Sequence, residues 1–130
     1  MALPIDEAAR STLELLAVRE LAAAHAKVNW DLFGSRLRAP QFRLIDTDAV
    51  LGRWSGEARC IEMSRTLLFD QSWAVVVEVL KHEMAHQYVD EVLGKHEEQA
   101  HGLAFRQVCR QFHIDARAAG MPEGEPDADR

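Results

Sequence analysis

Cysteine is scarce in this chain: Cys60 and Cys109 are the 2 in 130 residues, far apart and in no C-x-x-C pair. A disulfide framework is therefore not expected, nor a cysteine-held metal, and both thiols read as buried side chains in a reducing compartment. Long apolar runs are missing as well; none approaches the roughly 20 residues of a membrane span. Basic excess is absent, because 15 Lys and Arg stand against 21 Asp and Glu, a formal net charge of −6. That balance argues against a strongly basic nucleic-acid module, so DNA as a partner gains no support from charge. The opening residues, Met1-Ala2-Leu3-Pro4-Ile5-Asp6-Glu7, carry neither a basic n-region nor an apolar h-region, which predicts a cytoplasmic protein without membrane association.

What is present is apolar substance, 48% of the residues, enough for one domain with a modest core. One stretch stands out: Leu80-Lys81-His82-Glu83-Met84-Ala85-His86-Gln87-Tyr88. It contains His-Glu-x-x-His, two imidazoles four residues apart with a glutamate after the first. On a helix, residues four apart share one face, so His82 and His86 can hold the same ion. Glu83 leans to the side of that face, where it reaches a water at the ion but not the ion itself. The preceding run Trp73-Ala-Val-Val-Val-Glu-Val-Leu80 is almost wholly apolar, as befits a helix buried on most sides.

Taken in order, Ile5 to about Asn29 reads as a helix, with Leu13, Leu16, Val18, Leu21 and His25 on or near its apolar stripe and Asp6 or Ser11 as cap. From Val28 to Pro40 the period breaks, which suggests a core-anchored loop. Three strand-like pieces follow, Phe42–Ile45, Val50–Trp54 and Arg59–Met63, separated by Asp46-Thr47-Asp48 and Ser55-Gly56-Glu57. Links this short hold no helical crossover, so neighbours are expected to pair antiparallel. Residues 64–72 lead out of the sheet, and Asp70 or Ser72 caps a helix running to about Leu93, stopped by Gly94. His101, Phe105, Val108 and Phe112 then mark the apolar face of a further helix, with His101 in its first turn. The fold class is α+β: an N-terminal helix, a small three-stranded, mainly antiparallel sheet, then two packed helices. The domain spans 1–117, and 118–130 reads as a disordered acidic tail.

A catalytic zinc takes three protein ligands and keeps one position open. His101 is the leading third ligand, since 14 residues separate it from His86, enough for one helix to end and the next to fold back. His96, Glu97 and Glu98 are rivals from the intervening loop, and His113 a remoter one. Val89 and Val92 occupy the positions where a metzincin needs Gly and His, so that class is excluded. Zn2+ would then be the cofactor and Glu83 the general base of peptide hydrolysis. Tyr88 and Arg53 are candidates for steadying the oxyanion, and Glu78 for accepting an imidazole N–H. The competing class is a non-catalytic zinc-binding module that docks a partner protein. The arginines 36, 38, 43, 53, 59 and 65 read as a solvated sheet face rather than a phosphate-contacting patch.

These residues resemble the SprT-like (Spartan-like) zinc metalloproteases. The resemblance rests on Val77-Glu-Val-Leu-Lys-His-Glu-Met-Ala-His86 followed by His101-Gly102-Leu103-Ala104-Phe105, similar to the family's His-Gly-x-x-Phe element. Fainter echoes lie in Asn29-Trp-Asp-Leu-Phe33, Leu51-Gly-Arg-Trp54 and Cys60-Ile-Glu-Met-Ser64, so the likeness spans about 28–113. It implies zinc on His82, His86 and His101, a catalytic Glu83 and a protein or peptide substrate. It also raises DNA-associated proteins as targets, although no zinc ribbon follows the core in this sequence. Nothing in the residues fixes an oligomeric state.

Overall fold

The computed structural model describes residues 6–47, 49–96 and 101–117. The first helix, α1 (Glu7–Phe33), starts where the Asp6 carboxylate accepts the Ala9 N–H, satisfying one of the orphan donors of a helix N-terminus. It runs four residues past the break expected near Asn29. Lys27 and Asp31 pair across one turn, and Phe33 is fully buried, so tertiary packing carries the helix on until Gly34 takes a left-handed conformation. The Asn29 side chain then clamps the turn, donating to Leu37 O (2.7 Å) and accepting from Leu37 N (3.1 Å).

The sheet holds β1 (Gln41–Ile45), β2 (Gly52–Ser55) and β3 (Cys60–Ser64) in the order β1-β3-β2. β2 and β3 form the expected antiparallel hairpin, but β1 pairs with β3 in parallel, from Gln41 opposite Cys60 to Ile45 opposite Ser64. The sheet is therefore mixed, which corrects the mainly antiparallel expectation. No helical crossover is needed, because β1 finishes at Ile45 opposite Ser64 and β2 starts at Gly52 opposite Met63, on either side of the same end of β3. Two strand spacings are only about 9.5 Å. β3, whose Cys60, Ile61, Met63 and Ser64 are all buried, takes the centre.

Ser64 ends β3 and caps α2 (Arg65–Asp70), a short helix where irregular chain was expected; six residues are too few for periodicity to register. Ser72, one of the two expected caps, accepts the Val75 N–H and opens α3 (Trp73–Glu91). The buried face of α3 packs against sheet, α1 and α4 together. Val92 closes the helix, and Gly94 turns left-handed just beyond it. α4 (Leu103–Phe112) folds back on α3 through Ala104, Phe105, Val108 and Cys109. His101 precedes the Gly102 cap, two residues ahead of the first helical residue rather than in the first turn as expected from the sequence.

The core runs from Leu21, Val28 and Phe33 through Ile61 and Met63 to Val76, Leu80 and Phe105. Leu13 and Leu16, expected on the buried stripe, are exposed because the first half of α1 extends past the sheet and α3. The proposed tail, residues 118–130, lies outside the described residues. No described helix is long and apolar enough to cross a membrane.

Candidate metal centre

His82 and His86 share the face of α3 turned to α4, and His101 arrives at the start of α4. The three ring centroids lie 5.0, 5.2 and 5.2 Å apart, and one nitrogen from each ring falls within 4.8 Å of the others. His82 Nε2 and His101 Nε2 are 3.3 Å apart. Such a group can hold a metal ion. His82 and His101 are buried, while His86 is only partly buried, so the cluster is least covered on the His86 side. Burial, and then the neighbouring rings of His82 and His101, push the His86 pKa down to about 2. Its ring is neutral at any ordinary pH, with a lone pair available for an ion.

Phe105, one turn into α4, backs the cluster. It stacks on His86 (4.0 Å, 13°) and lies 5.0 Å from the His82 ring and 4.9 Å from that of His101. The apolar plate limits the rotation of all three imidazoles. On the far side His82 Nδ1 lies 3.3 Å from the Asp115 carbonyl, which can fix the tautomer in which Nε2 carries the lone pair that an ion takes. Sequence gave no signal for this partner, because a backbone acceptor carries no residue type. Glu78, expected in that role, accepts instead from Lys81.

Glu83, the residue after His82, is buried beneath β2. Gly52 opens that strand directly against it, a contact that sequence alone did not flag. The other candidates are elsewhere. Tyr88 is two residues past His86, about 200° around the helix. It packs in the core between Phe33 and Phe112 under the Arg36 guanidinium. Arg53 points from the opposite face of β2 to Glu62, a carboxylate it shares with Arg43. Neither reaches the cluster, so both expectations of an oxyanion donor are corrected. His96 pairs with Asp90, which also accepts from Trp54 Nε1, and His113 is an exposed helix cap. Glu97 and Glu98 lie outside the described residues.

His25 belongs to a separate polar network. Its Nε2 donates to Gln87 Oε1 (2.9 Å), and Gln87 Nε2 donates to Arg38 O (2.8 Å) and Glu91 Oε1 (2.9 Å). Arg59 closes the network by bonding Glu91 and the carbonyls of Arg38 and Ala39. The chain thus ties α1, the 35–40 turn, the start of β3 and α3 together beside the core. Arg65 pairs with Glu14 and Asp46, so four of the six mid-chain arginines face carboxylates. Cys60 and Cys109 are both buried free thiols; burial raises both pKa values, that of Cys109 to about 12.

No curated protein and no solved structure matches the chain. A family comparison does: the SprT-like family matches residues 16–122, a span that takes in α1 from Leu16 onward, the sheet, the histidine cluster and α4. With that coverage, the chain belongs to the SprT-like family.

Proposed function

We propose that this protein is a zinc metallopeptidase in which His82, His86 and His101 hold the ion and Glu83 is the general base. One observation carries the reading: two imidazoles of α3 and a third just ahead of α4 converge, with a buried glutamate following the first of them in the chain. The donor set fits zinc. Two nitrogens about 2.0–2.1 Å from one tetrahedral ion stand roughly 3.3 Å apart, and His82 Nε2 and His101 Nε2 are separated by 3.3 Å. All-nitrogen coordination suits a catalytic site better than a structural one, where cysteine ligands predominate. When bound, zinc supplies Lewis acidity, which acidifies water and polarises a carbonyl.

The chain's own groups supply the rest. The Glu83 carboxylate accepts a proton from the attacking water and returns it to the departing amine. Phe105 and the Asp115 carbonyl hold the imidazoles in register. The less covered His86 side admits the substrate. β2 is an edge strand beside α3, paired with β3 alone among the described strands, and such an edge can add an extended chain, which favours a protein or peptide over a small amide.

The test is Glu83→Gln. Cleavage of an unfolded protein such as casein should fall by about 10²–10⁴ while zinc stays bound at one ion per chain. Normal cleavage by the variant would remove Glu83 from the chemistry. A zinc-loaded wild type that leaves every unfolded protein intact would favour the interaction-module reading instead. Parallel assays with single-stranded and duplex DNA decide whether DNA-associated proteins are the targets.

A further inference from the structure

Glycine serves two distinct purposes in this fold. At Gly34 and Gly94 the backbone is left-handed, and a built Cβ would meet nothing within 4 Å, so the residue is needed for its conformation. Gly52 is the reverse. Its φ lies outside the left-handed range, but a Cβ there would stand 3.2 Å from each of three atoms: Glu83 Cγ, Val79 Cγ1 and Met63 Sδ. Here glycine is needed for room. Val79 and Glu83 are one turn apart on α3, and Met63 sits opposite Gly52 on the central strand. The missing side chain is thus where the edge strand and the site helix meet.

We propose that Gly52 is a positioning residue for Glu83: the bare backbone at the start of β2 sets where the carboxylate arm lies. This rests on the metallopeptidase reading above and adds a requirement to it. Were a methyl added, something would have to yield by a few tenths of an ångström. Val79 is β-branched, fully buried and held to essentially one rotamer on a helix, so it yields least. Met63 is pliant, but it is enclosed on all sides. Glu83 contacts the new methyl through Cγ, and turning its χ angles carries the carboxylate further than Cγ itself moves. A reacting group displaced by about 1 Å can lose on the order of 10² in rate.

The experiment compares wild type, Gly52→Ala, Val79→Ala and the double variant, all zinc-loaded. Gly52→Ala is expected to lower kcat roughly ten- to hundredfold, with KM and bound zinc essentially unchanged. The double variant, in which trimming Val79 makes space, should recover to the level of Val79→Ala alone. Unchanged kcat in Gly52→Ala would overturn the proposal. So would a loss shared with KM and zinc content, because that marks general damage to the fold. If Gly52→Ala does not fold, the double variant against Val79→Ala decides: equal kcat supports the proposal and a persisting deficit overturns it. Crystal structures of the zinc-free proteins give a readout independent of turnover. A Glu83 carboxylate moved relative to the His82 ring by more than about 0.5 Å supports the proposal, and superposition overturns it. Should wild type cleave nothing, the peptidase reading fails, and these structures still judge the positioning claim.

Discussion

Two histidines of this chain, the buried His25 and the partly buried His86, are kept neutral for different ends. His86 turns its lone pair towards two other imidazoles, whereas His25 spends its N–H on Gln87 deep between α1 and α3. Burial lowers the His25 pKa below its ordinary value near 6.5, and the bond to Gln87 only partly opposes that. The unfolded chain therefore binds the His25 proton more readily than the folded one. Stability is intact above about pH 6.5 and declines as the pH falls below it towards the depressed folded value. His25→Gln keeps an N–H for Gln87 but cannot titrate. Urea unfolding at pH 7.5 and pH 5.5 should show a smaller acid loss for this variant than for wild type. Equal losses would assign the acid sensitivity to other groups.

At the level of elements, α3 was legible from its nearly unbroken apolar run and the four-residue spacing of His82 and His86, and α4 from apolar residues that recur at helical spacing. The three strands were legible from their turn residues. Their order was not, since parallel pairing of β1 with β3 is decided by which strand the helices bury. The start of α1 was legible from its Asp6 cap, but the burial of its first half and its C-terminal end were misread for one reason. Periodicity records where apolar residues recur, but not how far the rest of the fold reaches to cover them. Leu16 fits the stripe and is exposed, while Phe33 lies past the expected end and is wholly buried. Gly52 and the Asp115 carbonyl were invisible because their contribution is an absent side chain and a backbone atom. The contrast along α1 is measurable. Leu16→Ser should change unfolding free energy by less than about 0.5 kcal/mol, and Leu21→Ala should cost about 2–5 kcal/mol. Similar denaturation midpoints for the two variants would mean that the first half of α1 is covered in solution.

Across the whole molecule, the histidine cluster is also a clasp. Two of its rings belong to α3 and the third precedes α4, so an ion bound there joins the helix at the centre of the fold to the last one. The apolar contacts of Phe105, Val108 and Cys109 hold α4 without the ion, so the metal-free chain should stay folded and merely become less stable. An ion that binds only the folded state stabilises it by about 4 kcal/mol when free zinc exceeds Kd a thousandfold. For a domain of this size that corresponds to a Tm shift on the order of 15 °C. Chelation should lower Tm by a shift of that order, leave the far-UV spectrum at 25 °C unchanged, and be reversed by added zinc. His113→Ala, outside the cluster, should show the full shift. His101→Ala removes the histidine through which the ion reaches α4, so it should lose most of its bound zinc and most of the shift. If His101→Ala retained one zinc per chain and the whole shift, the third ligand would have to come from elsewhere, and the two-helix clasp would be wrong.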